Sequence, residues 1–139
     1  GLLPWCVEHS VAVLVYGALA RGVLGGRYLP GLPTPVGSRA ETSASISADL
    51  VPEVLEAVSR LTRYADHRET SIGRIALAWV LAQPGVTSAI VGVRNSEQLL
   101  NNIQAAERLL DRSTVAEVEG VIGDLHMISA ASLGGFVPL

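Results

Sequence analysis

The sequence predicts an α/β fold in which parallel strands are covered by helices, and two observations carry that prediction. The segment from Ala76 to Ala105 joins a helix, a short apolar strand and a second helix through tight turns. The strand, Ser88 to Val91, is apolar on both faces, which is typical of a parallel strand covered on either side. We expect one domain over residues 1–139, since a chain of this length forms a single core.

The amino-terminal half is predicted to contain two helices, a strand and a long loop. Residues 2–9 form the short helix, 11–16 the strand, and 17–49 a connection rich in Gly, Pro and Ser. The next helix runs from Leu50 to Asp66 with Asp49 as its cap, because apolar residues recur there with helical spacing. The residues of this apolar stripe are Val51, Val54, Leu55, Val58, Leu61 and Ala65.

The carboxyl-terminal half is predicted to place a strand between helices. Ser71 begins a helix that Pro84-Gly85 ends, and Trp79 on this helix is expected to pack in the core. A helix over 96–106 follows the strand, and its cap is either Asn95 or Ser96.

The end of the chain gives weaker signals. Thr114 with Glu117 three residues on is spaced as a capping box, so a last helix is expected to run to about Ile128. The tail from Ser132 to Leu139 is either a loop or an added edge strand, and the sequence does not decide between them.

Composition excludes several classes of function. A net charge of −3 gives no reason to expect nucleic acid. The apolar runs end well before the roughly 20 residues of a membrane span, and no basic stretch precedes an apolar one at the amino terminus, so a soluble cytoplasmic protein is expected. The single cysteine, Cys6, is expected to be a small buried hydrophobe, and no metal site is indicated. All ten basic residues are Arg, which excludes P-loop and Schiff-base chemistry.

The turn that follows the second strand has features suited to an anion. Gly92 to Ser96 is polar and leads into a helix, whose first N–H groups have no partner within the helix. Arg94 adds a guanidinium to this turn. The sequence therefore predicts an anion-binding site at the carboxyl end of a strand.

Two motifs resemble the aldo-keto reductase superfamily. The family's last strand is followed by Gly-x-Arg/Lys-x-x-x-Gln-x-x-x-Asn, and the matching residues here are Gly92, Arg94, Gln98 and Asn102. The segment from Ala12 to Tyr28 is similar to the family's seventh strand and loop, which usually contain Tyr-Ser-Pro-Leu and then x-x-Gly-x-Leu-x-Gly-Lys-Tyr. The resemblance runs from Leu3 to roughly Arg112 and implies the carboxyl-terminal part of a TIM-type (β/α) barrel.

The number of strands implies a partner. A complete barrel has eight parallel strands in about 250 residues, whereas strands seven and eight are the two that this chain supplies. A parallel pair leaves backbone N–H and C=O groups unpaired on both of its outer edges. We expect either a homo-oligomer, a dimer in the simplest case, or association with a complementary barrel half.

The resemblance also implies a catalytic Asp, Tyr, Lys and His from the first half of the barrel, and none has a matching position here. His9, His67 and His126 lie in segments predicted as polar helix faces or ends, where a solvated or locally hydrogen-bonded histidine is expected. No catalytic residue is assigned.

Without catalytic residues, the part of the family's function that the resemblance still implies for this chain is cofactor binding, with NADPH as the expected cofactor. Tyr16 would lay its ring against the nicotinamide, the backbone of Gly17-Ala18-Leu19 would meet the pyrophosphate, and Arg94 would pair with the adenosine 2′-phosphate. The residues expected to bind the cofactor are Tyr16, Gly17, Ala18, Leu19, Gly92, Arg94, Gln98 and Asn102.

Two of these assignments have structural alternatives, and one further arginine is left out. Gln98 and Asn102 match adenine contacts of the family, but Gln98 could instead reach back to Asn95 as a capping partner, and Asn102 could be a plain surface residue. Arg39 matches a family arginine but is expected to be solvated.

The sequence leaves three functions open. The first is the NADPH-binding portion of an aldo-keto reductase, in which carbonyl reduction by hydride transfer requires the missing half. The second is a non-catalytic barrel remnant that acts as a structural or oligomerisation module. The third is an enzyme of unrelated type whose site forms at a subunit interface.

Overall fold

The computed structural model describes residues 1–44, 50–108 and 110–123, and these residues form a mostly helical α/β structure. The helices are α1 (Leu2–Glu8), α2 (Arg39–Thr42), α3 (Pro52–Asp66), α4 (Ile72–Leu81), α5 (Ser96–Glu107) and α6 (Arg112–Ile122). The strands are β1 (Leu14–Tyr16) and β2 (Ser88–Ile90), and a 3₁₀ segment covers Ala20–Gly25. The expected order of the other elements is confirmed, although both strands are shorter than predicted. The prediction of an unbroken loop over 17–49 is wrong, because the 3₁₀ segment and α2 lie within it.

Side-chain caps fix where three of the helices begin. Ser71 Oγ accepts the Arg74 N–H at 3.2 Å at the start of α4, and Asn95 Oδ1 accepts the Gln98 N–H at 2.9 Å at the start of α5. The sequence predicted that a helix begins at Ser71, and it offered Asn95 and Ser96 as alternative caps of α5, of which the structure has Asn95. Asp111 Oδ1 accepts the N–H of the residue three positions on at 2.8 Å, so α6 begins earlier than the sequence indicated.

The predicted capping box of Thr114 and Glu117 is therefore wrong. Thr114 lies inside the first turn of α6, where its N–H is held by the true cap. Glu117 reaches across to α3 instead, and its Oε2 accepts from Arg68 Nη2 at 2.6 Å and from the Tyr64 hydroxyl at 3.0 Å. The Asp49 cap, His126, the helix end near Ile128 and the tail from Ser132 to Leu139 lie outside the described residues.

The two strands form a parallel pair. Leu14 lies opposite Ser88 and Tyr16 opposite Ile90, so these four side chains share one face of the sheet. The other face carries Ala89, which packs against the cluster built around α4 and α5. The Thr87 hydroxyl accepts the Val13 N–H at 3.0 Å and closes the amino-terminal end of the pair.

The expectation that the second strand is buried on both faces is wrong. Ile90 is 59% exposed and Leu14 is 60% exposed, because the described helices cover only the opposite face. A full barrel would bury this face against other strands, which these residues do not include.

The main core lies between α3, α4 and α6. Val58, Leu61 and Ala65 from the predicted stripe of α3 are buried there together with Ile75 and Val118. Trp79 is half-buried against the same cluster, as expected, and Cys6 is buried on α1.

Gly85 ends the turn after α4 and permits α1 to pack against it. Its φ is +93°, and a Cβ placed there would lie 2.9 Å from Val7 Cγ2 and 3.2 Å from the Leu3 carbonyl oxygen. Any other residue would therefore be strained and would push α1 away. In the described part of the chain no helix is both long enough and apolar enough to cross a membrane.

Candidate functional site

A cleft of about 570 Å³ opens at the carboxyl ends of both strands. Tyr16 ends β1 and Ile90 ends β2, and both line the cleft together with the turns that follow them. All eight residues expected to bind the cofactor contribute to this lining: Tyr16, Gly17, Ala18, Leu19, Gly92, Arg94, Gln98 and Asn102. The structure thus brings together two motifs that are more than seventy positions apart in the sequence.

Two helix amino termini face this cleft. Ser71, Gly73 and Arg74 line it from the first turn of α4, and Gln98 lines it from the first turn of α5. The N–H groups at the start of a helix and the helix dipole together favour negative charge. The cleft therefore has two backbone features that attract an anion.

Charge in the cleft is strongly one-sided. Five of the ten basic residues line it, and no Asp or Glu is among its described lining residues. The five are Arg21, Arg27, Arg39, Arg74 and Arg94. Each guanidinium is a cation that offers paired donors to phosphate or carboxylate. In a chain of net charge −3, this concentration of guanidinium groups makes the cleft electrostatically favourable for an anion.

A buried tyrosine connects the two parts of the long loop that carry two of these arginines. Tyr28 is buried, and its hydroxyl accepts the Ala40 N–H at 3.4 Å. This contact joins two points of the loop that are twelve residues apart, next to Arg27 and Arg39. Arg39 was expected to be simply solvated; it is exposed, but it lines the cleft.

The 3₁₀ segment contributes a strained stretch of backbone to the cleft wall. Ala20 and Arg21 have φ values of +45° and +55°, in the left-handed region that residues with a Cβ seldom adopt. Each such residue costs about 1 to 3 kcal/mol. The surrounding bonds hold this shape, since the Ala20 N–H donates to the Gly17 carbonyl at 2.7 Å. Strain of this kind is often retained where a backbone must present its groups to a ligand.

The turn after β2 is braced by its own helix. Gln98 Oε1 accepts the Arg94 N–H at 2.9 Å, while the Gln98 N–H donates to Asn95 Oδ1. These two bonds form a reciprocal cap, shifted by one residue from the Gln98 to Asn95 contact that the sequence suggested. Gln98 therefore shapes the turn that carries Arg94.

Apart from Arg39, sequence reasoning missed six polar residues of the cleft: Arg21, Arg27, Tyr28, Ser71, Arg74 and Asn101. The cap at Ser71 was a usable signal for Arg74, because it places that residue in the first turn of a helix. Arg74 is also anchored, since its Nη1 donates to Gln104 Oε1 of α5 at 3.0 Å. For Arg21 and Arg27 a signal existed but was not used: both lie in the segment from Ala12 to Tyr28 that resembles the family, and Arg27 stands where that motif has Lys.

Titratable groups outside the cleft have structural roles. His9 Nδ1 lies 2.9 Å from the Trp5 carbonyl oxygen and His67 Nδ1 2.6 Å from the Arg63 carbonyl oxygen, the local bonding that was expected. Burial and the hydrogen bond to Glu117 raise the pKa of Tyr64 above its ordinary value.

The cap of α6 also has a shifted pKa. Hydrogen bonds from the Thr114 N–H and then from the Ser113 hydroxyl hold the pKa of the Asp111 carboxyl below its ordinary value. Among the described residues, no three His, Cys, Asp or Glu side chains are grouped as metal ligands.

Comparison with known proteins places these motifs in one family. The model described as Aldo/keto reductase family matches residues 1–122. The L-glyceraldehyde 3-phosphate reductase of Escherichia coli O157:H7 is 31% identical over 140 residues, which are 95% of this chain and 40% of that protein. A probable voltage-gated potassium channel subunit beta of Arabidopsis thaliana is 31% identical over 124 residues, or 86% of this chain and 38% of its own length.

A third relative is named for its cofactor. The aldo-keto reductase yakc of Schizosaccharomyces pombe, whose name specifies NADP(+), is 26% identical over 130 residues, which are 94% of this chain and 38% of that protein. This chain therefore spans about 40% of the length of the first curated relative that it matches.

Proposed function

We propose, from the premise that this chain belongs to the aldo/keto reductase family, that its cleft binds NADPH by the adenosine and phosphate end of the cofactor. One observation carries the proposal: eight residues from two distant motifs meet in a cleft that is lined by five arginines and by no carboxylate among the described residues. A relative named for NADP(+) supports the choice of cofactor.

The lining fits the cofactor in size and charge. Ligand pockets usually measure about 300 to 1,000 Å³, and this cleft lies inside that range at about 570 Å³. A dinucleotide with a 2′-phosphate carries three phosphate groups, and the cleft offers guanidinium groups and two helix amino termini to them. Bound NADPH supplies a hydride to a carbonyl carbon.

Each part of the lining has a proposed role. Arg94 binds the 2′-phosphate, and Gln98 and Asn102 on α5 face the adenine. The backbone of Gly17 to Leu19 meets the pyrophosphate, although this chain has Gly-Ala where the resembled family usually has Ser-Pro. The Gly92 turn leaves open space, since a Cβ placed there has no atom within 4 Å. Tyr16 offers its ring to the nicotinamide.

We further propose that the fold is the end of a (β/α) barrel. Such a segment would have a parallel pair of strands with helices on one face and an open opposite face, and the described residues have these features. Carbonyl reduction would then need the general acid and its partners from the rest of the barrel. The chain by itself should bind the cofactor without turning it over.

Isothermal titration of the chain with NADPH and NADH tests the cofactor proposal. We expect micromolar binding of NADPH and at least tenfold weaker binding of NADH, because only NADPH carries the 2′-phosphate. Equal affinity for both nucleotides would contradict the role of Arg94, and heat from neither would contradict cofactor binding itself. NADPH oxidation with aldehydes should stay at background, and turnover abolished by a substitution in this chain would overturn that expectation.

A second candidate function is a structural or oligomerisation module. The exposed apolar side chains on the sheet favour it, because Leu14 and Ile90 are both more than half exposed. This function predicts no heat with either nucleotide together with self-association in solution, so light scattering beside the titration separates the two.

A further inference from the structure

Arg74 lies in the first turn of α4, and its side chain reaches a second helix. Its backbone N–H donates to Ser71 Oγ at 3.2 Å, so the helix cap holds its backbone. Its Nη1 donates to Gln104 Oε1 of α5 at 3.0 Å. Arg74 is half-buried and lines the cleft, whereas Gln104 is exposed and does not line it. The guanidinium is therefore held between α4 and α5, beside the cleft.

The bond to Gln104 locates the guanidinium next to the polar face of α5. Residues three and four apart on a helix are neighbours, so Gln104 adjoins Asn101. Asn101 lines the cleft together with Gln98 and Asn102, the two residues proposed above to face the adenine. Arg74 thus lies beside the proposed position of the adenine base.

The face of this guanidinium has no partner among the described residues. None of the ion pairs that these residues form includes Arg74, and no Asp or Glu is in the described lining of the cleft. Gln104 accepts from one N–H at the edge of the planar group and carries no charge. No aromatic ring of the described residues stacks on Arg74. Its planar face is therefore available to a ligand.

The cleft has few flat side chains on which a base could stack. Its aromatic residues, among those that the structure describes, are Tyr16 and Tyr28. Tyr16 ends β1 and is proposed to face the nicotinamide, and Tyr28 is buried with its hydroxyl accepting the Ala40 N–H. Nucleic-acid bases stack on guanidinium planes as well as on aromatic rings. Beside α5, the guanidinium of Arg74 is the group that suits this role.

We infer that Arg74 recognises the adenine base, with its guanidinium stacked on the ring and its plane held by Gln104. This inference rests on the proposed function and deepens it, because it names a further residue that binds the adenosine end of the cofactor. NADPH and NADH carry the same base. Arg74 should therefore strengthen the binding of both nucleotides by the same factor, whereas Arg94 should act on NADPH alone.

Isothermal titration of Arg74→Ala with NADPH and NADH tests the inference. Both affinities should fall by the same factor, about tenfold, because the base loses its stacking partner. Arg74→Lys should restore little of this loss, since lysine retains the charge but has no planar group. The affinity for inorganic pyrophosphate, which has phosphate groups and no base, should be the same for Arg74→Lys and the unmodified chain.

Gln104→Ala is the matched control. It removes the same bond between α4 and α5 but keeps the guanidinium, and Gln104 is outside the lining of the cleft. The thermal midpoints of Gln104→Ala and Arg74→Ala should therefore fall by similar amounts. The nucleotide affinities should fall much less in Gln104→Ala than in Arg74→Ala, which separates the base contact from a purely structural role.

Four outcomes would overturn the inference and leave the cofactor proposal standing. They are an unchanged NADPH affinity in Arg74→Ala, a loss confined to NADPH, full recovery of the affinity in Arg74→Lys, and an equal loss of affinity in Gln104→Ala. The second would assign Arg74 to the 2′-phosphate, the third to charge alone, and the fourth to the packing of α4 against α5. Absence of heat from either nucleotide with the unmodified chain would instead refute the proposed function, and this inference with it.

Discussion

Replacing Arg94 by alanine should remove the preference for NADPH and leave the fold intact. The turn that carries Arg94 is held through the backbone, since the Arg94 N–H donates to Gln98 Oε1 at 2.9 Å. Alanine retains that N–H, so the turn should keep its shape. The guanidinium is exposed and is available to a phosphate group.

The expected loss can be worked from the type of bond. A hydrogen bond between charged groups contributes about 1.5 to 3 kcal/mol, and an exposed site favours the lower end of this range. Arg94→Ala should therefore weaken NADPH binding by about 1.5 kcal/mol, which is roughly tenfold in Kd. Arg94→Lys should lose less, because lysine retains the charge and loses only the paired donors. Binding of NADH should be nearly unchanged in both variants.

Isothermal titration with both nucleotides measures this difference. Arg112→Ala is a suitable control, because Arg112 is also an exposed arginine near a helix start but does not line the cleft. An equal loss for NADPH and NADH would show that Arg94 acts on the turn or the pyrophosphate. An unchanged NADPH affinity would show that another arginine of the cleft binds the 2′-phosphate. The arginines that remain there are Arg21, Arg27, Arg39 and Arg74.

Three further predictions concern two glycines and the cap of α6. Gly92→Ala should leave the thermal midpoint unchanged and weaken NADPH binding, because its Cβ would occupy space open to the ligand. Gly26→Ala should lower the free energy of unfolding by about 1 to 2 kcal/mol, measured in urea, since φ is +77° and a Cβ would lie 3.0 Å from Ile72 Cγ2. A lower midpoint for Gly92→Ala would contradict the first, and an unchanged Gly26→Ala the second. Because the pKa of Asp111 is lowered in the folded state, its ionised carboxylate stabilises the fold fully above the ordinary pKa of an aspartate. That stabilisation is lost as the pH falls through the lowered value. The thermal midpoints of Asp111→Asn and of the unmodified chain should therefore converge as the pH falls below about 4. A constant gap at acid pH would show that ionisation of Asp111 is irrelevant.

The sequence predicted the helices well because their signals are local. The caps at Ser71 and Asn95 and the apolar stripe of α3 each depend on residues a few positions apart. The start of α6 was missed although its signal was also local, because the Thr114 and Glu117 spacing competed with the better cap at Asp111.

Burial of the strands could not be predicted in the same way. An apolar strand is predicted to be buried on both faces, but the exposure of Ile90 depends on elements that the described residues do not contain. The site shows a similar division. Its eight expected residues came from two motifs that resemble a family. Arg74 lies outside both motifs, and only the fold shows that it lines the same cleft.

The two sides of the cleft differ, and they differ in whether they suit binding of a cofactor or the transfer of its hydride. On one side are arginines and helix amino termini, which suit the phosphates of a cofactor. On the other side Tyr16 is 78% exposed, so a nicotinamide ring against it would remain in contact with water. Charged groups in an exposed site still bind phosphate, but hydride transfer benefits from a site that excludes water. A segment that covers Leu14 and Ile90 would also cover Tyr16, since the three share one face of the sheet. If the barrel proposal holds, the segment that completes the sheet would therefore also close the reacting end of the cleft.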